Sequence, residues 1–147
     1  MISVQYDDFD VGKEYQELAE NNVNDGAIVF FVGQVRDYNQ GNAVHGLALE
    51  HYPGMTEKAL LDIVEQAHKR WQLGQVKVVH RIGSLSLGEQ IVFVGVSSKH
   101  REASFEAAQF IMDYLKNSAP FWKKEITDQG ERWVEQELKD QVAKQKW

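Results

Sequence analysis

The sequence predicts an α+β fold: a mixed, largely antiparallel sheet with helices packed on it, in one domain covering residues 1–147. Three observations lead there. Short segments that alternate in polarity, or are apolar throughout, occur together with longer ones whose apolar residues recur at helical spacing. A run of the strand-like segments is not separated by regular crossover helices, which disfavours a doubly wound sheet. And 147 residues, 43% hydrophobic and 11% aromatic, supply one sizeable core without a linker, repeat or low-complexity segment to divide it.

Ile2 to Tyr6 (ISVQY) alternates like a short strand, and VGKEYQELAENN then reads as a helix with Val11, Tyr15 and Leu18 on one face. Gly26 to Val35 (GAIVFFVGQV) is an almost unbroken β-branched and aromatic run, which predicts a strand buried on both faces. Turn chemistry from Asn39 to Asn42 leads into VHGLALEHY, a strand carrying Val44, Leu47, Leu49 and Tyr52. Arg36 thus falls where a buried strand leaves the core. A helix opens near Met55, with Leu60, Ile63, Val64, Ala67 and Trp71 at helical spacing. QVKVVHRIG and QIVFVGVSS are two further strands, joined by the glycine-bounded loop GSLSLGE. HREASFEAAQFIMDYLKNSA is a long helix whose inward stripe includes Ser104, Ala107, Ala108, Ile111 and Leu115, and Pro120 ends it. FWKKEI alternates as another strand, and ERWVEQELKDQVAKQKW reads as a polar, partly helical tail, with 135–147 expected to be mobile.

Sixteen Lys and Arg against 22 Asp and Glu give a net charge of −6. A field of that sign repels phosphate, so a general nucleic-acid or anionic-membrane surface is disfavoured and any anion site must be local. With no cysteine, disulfides, thiolate metal sites, Cys nucleophiles and a persulfide on this chain are excluded. The N-terminal segment lacks the basic start and apolar run of a signal peptide, and no apolar stretch approaches the ~18 residues of a membrane span, so a cytoplasmic location is expected. The five histidines, His45, His51, His68, His80 and His100, show no metal-ligand spacing such as HExxH, and neither a metal nor a cofactor is expected.

Against this acidic background, KNSAPFWKKE (Lys116 to Glu125) gathers three lysines around a proline and two large aromatics. Lys116, in the last turn of the long helix, suits the helix dipole and has Asp113 three residues earlier as a surface partner, so alone it reads as structural. Lys123 and Lys124 point to opposite faces of an alternating segment, so one of them shares a side with Phe121, where an apolar wall would lower an amine's pKa towards acid–base use. Lys99, His100 and Arg101 follow a strand end and open the long helix, where first-turn amides and basic side chains can converge on a phosphate. His80, on the strand face of Val76 and Val78, is either a hydrogen-bonded structural histidine or a site member. GQVR and GSLSLGE lack the spacing of phosphate-cradling loops, and their glycines suit turns and close packing.

FVGQVRDYNQG, LEHYPGM, HRIGSL with the following GE, SSKHREASF, MDYLKNSAPFWKKE and GERWVE resemble, in order and approximate spacing, the large, catalytic subunit of molybdopterin synthase, the MoaE family. The resemblance covers roughly Gly26 to Glu135. Ser104 stands where alanine is familiar and Leu49 where an aromatic often sits; neither is a site position. The resemblance implies an α/β hammerhead-like fold. It also implies a sulfurtransferase that installs the two dithiolene sulfurs of molybdopterin on cyclic pyranopterin monophosphate. The sulfur would come from the thiocarboxylated C-terminal glycine of a small ubiquitin-like subunit of MoaD type. A homodimer of large subunits would carry one small subunit at each end, as a heterotetramer.

Carried over residue by residue, the resemblance implies that Arg36, His100 and Arg101 meet the substrate and its phosphate, with Gln34 and Val35 lining the approach. Lys116 and Lys123 become the catalytic pair and also contact substrate, flanked by Lys124 and Glu125. The family pattern makes Lys123 the inward lysine. A chain without cysteine needs an external sulfur carrier, and both that carrier's thiocarboxylate and the substrate phosphate are anions, which suits a local basic site. Two other classes fit parts of the pattern. A Schiff-base enzyme acting on a phosphorylated carbonyl compound would use one lysine as nucleophile. A non-catalytic module binding an extended C-terminal tail would not need His100 and Arg101.

Overall fold

The computed structural model describes residues 1–36, 38–39, 42–128, 130–133 and 138–147. Four strands form the first sheet: β1 (Ile2–Gln5), β2 (Ala27–Gln34), β5 (Val76–Arg81) and β7 (Gln90–Ser98), in the order β1-β5-β7-β2. β1 runs parallel to β5, and the other pairings are antiparallel. A second, five-stranded sheet contains β3 (Tyr38–Asn39), β4 (Asn42–His51), β8 (Phe121–Thr127) and β9 (Gly130–Trp133), with β6 (Gly83–Ser86) also paired to β4. The helices are α1 (Val11–Ala19), α2 (Met55–Arg70), α3 (Arg101–Ser118) and α4 (Leu138–Gln145). Mixed helices and largely antiparallel strands make this an α+β fold, as the segment pattern predicts.

Alternation along β5 sets the two faces of the first sheet. Val76 and Val78 point into the main core, where Leu60, Ile63 and Ala67 of α2 meet Ala107, Phe110, Ile111 and Leu115 of α3. Val79 points the other way, to Phe9, Phe93 and Leu18 of α1. On that second face Lys77 pairs with both Glu14 and Glu17 of α1. Burial alone would lower the Lys77 amine's pKa, but the two carboxylates outweigh it and hold the group above its ordinary value. A third, smaller core of Val35, Leu49 and Leu85 joins the two sheets.

Three sequence expectations need correction. The run from Ala27 to Gln34 is not buried on both faces: β2 is an edge strand, and Phe30 and Phe31 are 41% and 43% exposed. A continuous apolar run reports what its residues could pack against, not whether a neighbouring strand exists. GSLSLGE is not only a loop, because Gly83 to Ser86 form β6 against β4. The tail begins with a strand, β9, paired to β8. The glycine reading of that loop holds: Gly83 and Gly88 have φ of 89° and 83°, values that residues with a Cβ rarely adopt. The turn expected from Asn39 to Asn42 centres on positions outside the described residues. The tail expected at 135–147 lies partly outside them too; α4 follows, and the Trp147 ring meets Trp71 and Phe110 edge-on.

Candidate functional site

The helix stripe Ser104, Ala107, Ala108, Ile111 and Leu115 is buried as spaced, so α3 is held along its length against the first sheet. Lys116 occupies its last turn. Asp113, the acid one helical turn before it, is buried rather than on the surface, and its carboxylate accepts from Gln109 at 2.9 Å and from the Trp147 indole at 2.6 Å. Ala119 caps the helix in extended conformation, Pro120 prevents its continuation, and the Phe121 N–H bonds back to the Ala119 carbonyl at 2.9 Å. The chain then enters β8.

On β8, Phe121, Lys123, Glu125 and Thr127 share one face, and Trp122 and Lys124 lie on the other. The inner face meets β5: the His80 imidazole stacks on the Phe121 ring at 3.8 Å between centroids and 17° between planes. His80 is 4% exposed. Burial first, and the nearby Lys123 charge second, push its pKa down from 6.5 to about 4, against the opposing effect of its bond to the Arg81 carbonyl. That bond, 2.8 Å from Nδ1, requires the proton on Nδ1, because a carbonyl can only accept. Lys123 therefore faces a neutral ring. Lys124 faces outward, over the Trp133 ring at 4.5 Å and 3.4 Å from Glu131. Glu125 is enclosed, at 1% exposure.

The opposite end of α3 carries the other basic group. Ser98 donates to the His100 carbonyl at 2.5 Å and so must accept from the Ser104 hydroxyl, also at 2.5 Å. These bonds anchor the helix start while leaving His100 and Arg101 exposed. Gly26 makes a close approach here, since a Cβ on it would stand 2.8 Å from the Lys99 carbonyl oxygen.

Arg36 does not join them. In the β2–β7 ladder Ala27 faces Ser98 and Gln34 faces Gln90, so Arg36 leaves β2 at the end of the sheet opposite His100. Seven strand steps separate the two ladder ends, about 23 Å. The fifteen residues from Arg101 to Lys116 give about 22 Å along α3. Val35, beside Arg36, packs with Leu49, and Leu49 is the ladder partner of Lys123. One chain thus places Gln34, Val35, Arg36, Lys116 and Lys123 towards one end, with His100 and Arg101 at the other. The Val35 side chain belongs to the core, and its N–H and carbonyl are bonded to Glu89 and Gly88.

Thr56 escaped the sequence reading. It is fully buried, and its hydroxyl accepts the Tyr52 N–H at 3.0 Å while donating to the Pro120 carbonyl at 3.2 Å. Its only signal is a threonine one step inside a helix start, which is common enough to mean nothing alone. Among the described residues no group of three or more His, Asp or Glu is placed to hold a metal, and no helix is long and apolar enough to cross a membrane. What the arrangement offers is amines beside an aromatic wall at one end and an exposed cationic helix start at the other. Both suit anionic ligands.

A family model described as "MoaE protein" matches residues 4–118. Over 139 residues the chain is 60% identical to the molybdopterin synthase catalytic subunit of Escherichia coli (strain K12), covering 95% of this chain and 92% of that one. It is 56% identical over 146 residues to the protein of the same name from Vibrio cholerae serotype O1, covering 99% and 97%. The solved molybdopterin biosynthesis MoaE protein of Burkholderia ambifaria superposes with a TM-score of 0.86 at 47% identity, covering 100% of this chain and 97% of that one. The match extends through the N-terminal strand and first helix, beyond the segment that carries the motifs. With a family model over residues 4–118 and relatives 56–60% identical over 95–99% of its length, the chain belongs to the MoaE family.

Proposed function

We propose that this chain is the catalytic subunit of a molybdopterin synthase, a cytoplasmic sulfurtransferase. It takes sulfur from the thiocarboxylated C-terminus of a small ubiquitin-like subunit and places it on cyclic pyranopterin monophosphate. Each transfer replaces a carbon–oxygen bond of the pterin side chain with a carbon–sulfur bond, the displaced oxygen leaving on the phosphate or as water, and water supplies the oxygen that turns the spent thiocarboxylate into a carboxylate. The observation that carries this reading is near-full-length similarity to relatives bearing that name. The complete lack of cysteine supports it, because the sulfur must then arrive on a partner.

Lys116 and Lys123 bind the thiocarboxylate, move protons as sulfur attacks and assist release of the carboxylate. Gln34 and Arg36 approach the substrate from the same end of the chain, held there by Val35 in the core between them, with Lys124 and Glu125 flanking. His100 and Arg101 grip the phosphate. Because they stand a helix length from the lysines, the site is composite: two chains form a symmetric dimer in which the helix start of one meets the lysine end of the other. One small subunit binds at each lysine end, making a heterotetramer. The direct test mixes the protein with thiocarboxylated small subunit and cyclic pyranopterin monophosphate and measures dithiolene product. Absence of product with both proteins folded and the substrate intact would overturn the reading.

A further inference from the structure

Six residues separate Lys116 from Lys123, and they include the change from helix to strand. How the two amines stand relative to each other therefore depends on the corner at Ala119 and Pro120. Pro120 has no N–H to contribute at this corner, and the Phe121 N–H bonds just two residues back, to the Ala119 carbonyl. The corner is held from outside, on two sides.

The first hold is Thr56. Its hydroxyl has one proton; accepting the Tyr52 N–H leaves that proton for Pro120. The hydroxyl thereby joins the start of α2 to the corner, sixty-four residues away in sequence. The second hold is His80, whose ring backs Phe121 and is itself fixed by the bond to the Arg81 carbonyl. Ladder pairing adds direction but not this lateral restraint: His51 lies opposite Phe121 and Leu49 opposite Lys123.

We propose that Thr56 is a positioning residue for sulfur transfer, holding the Pro120 corner against the His80 wall so that Lys116 and Lys123 keep their catalytic spacing. This rests on the lysine assignment made above. Thr56 acts through the backbone and touches neither ligand. Losing it should slow the chemical step while leaving ligand binding intact, because a displacement near 1 Å can cost on the order of a hundredfold in rate.

The test uses the full heterotetramer, assembled with thiocarboxylated small subunit and cyclic pyranopterin monophosphate, and measures the single-turnover rate, the substrate KM and small-subunit affinity. Thr56→Val keeps the side chain's shape but removes the hydroxyl; its rate should fall by about tenfold to a hundredfold, with KM and affinity within about twofold of wild type. Thr56→Ser, which retains the hydroxyl, should restore most of the rate. If the valine variant does not fold, Thr56→Ala, which leaves room for water at the two orphaned groups, takes its place with the same expected loss. A wild-type rate in the variant lacking the hydroxyl, a loss not rescued by serine, or a loss confined to KM refutes the role. Lys116→Ala and Lys123→Ala are run alongside. If they lose activity while the hydroxyl-free variant does not, only the positioning role falls; if they retain activity, the lysine assignment falls and takes this inference with it.

Discussion

Two inactive variants, Arg101→Ala and Lys116→Ala, are expected to recover activity when mixed. Arg101 opens α3 and Lys116 sits in its last turn; the helix gives about 22 Å between their backbones, and the β2–β7 ladder independently gives about 23 Å between the two ends of the sheet. Long side chains close part of such a gap, but they would have to lean along a helix whose inward face is packed from Ser104 to Leu115. In a symmetric dimer the two groups come from different chains. After equal mixing and free exchange about half the dimers are mixed, and one site in each has both groups intact, so about one quarter of wild-type activity should return. The assay is dithiolene formation with saturating small subunit and substrate held well below the wild-type KM, where a loss of one to two decades in Kd leaves the Arg101→Ala parent nearly inactive, with exchange verified by mass spectrometry of differently tagged copies. A control follows from the strand register. Arg36 lies at the lysine end of its own chain, so Arg36→Ala mixed with Lys116→Ala should stay inactive, while Arg36→Ala mixed with Arg101→Ala should recover. If exchanged Arg101→Ala and Lys116→Ala dimers remain as inactive as their parents, one chain owns the whole site and the distance reasoning is wrong.

Lys116→Ala and Lys123→Ala should each abolish most sulfur transfer with fold and small-subunit binding retained. Lys124→Ala should cost little, because its partners are the Trp133 ring and the exposed Glu131 and such surface pairs contribute about 0–1 kcal/mol; near-normal turnover in either of the first two variants removes the catalytic assignment. Arg101→Ala should weaken substrate binding by about 1.5–3 kcal/mol, one to two decades in Kd, with small-subunit affinity unchanged; titration calorimetry separates the two, and equal losses argue against a phosphate role. His80 makes the fold pH-sensitive: the unfolded imidazole takes up a proton below about pH 6.5, the folded one only near 4, so stability falls as pH drops through that window. Its share is about 2 kcal/mol between pH 8 and pH 5; denaturant titrations of His80→Phe should lack that increment, and an unchanged slope would show that the ring is not buried neutral.

Legibility in the sequence followed the range of the forces involved. α3 was readable because its inward stripe and its proline stop are local, and every residue of the stripe is buried. Alternation reduced Lys123 and Lys124 to two orientations and could go no further; the fold breaks the tie by laying β5 against one face of β8, with His80 on Phe121. β2 was misread because edge status is decided by which strand does not pair, a fact held nowhere in AIVFFVGQ itself. The motif residues were nameable one by one, yet their grouping was not: Arg36 belongs with the lysines only because β2 and β7 are antiparallel. Thr56 was invisible for the same reason, since its significance lies in a carbonyl on a distant corner.

Splitting the cations between the ends of one chain also bears on how an acidic protein holds two anions. At about 22 Å the groups are separated by more than two Debye lengths at physiological ionic strength, so within a lone subunit they scarcely feel each other. Bringing them together in a dimer incurs like-charge repulsion that anionic ligands relieve, so a composite site favours occupancy by thiocarboxylate and phosphate together over either alone. The remaining surface, with a net charge of −6 for the chain, gives other anions no broad field to follow. Charge cannot, however, distinguish the donor from its spent form, because thiocarboxylate and carboxylate are both monoanions. Release must then depend on how closely the amines fit each head group: oxygen is smaller and more strongly hydrated than sulfur. If Lys116 and Lys123 hold that head group as proposed, their spacing carries the distinction, and so does the corner between them.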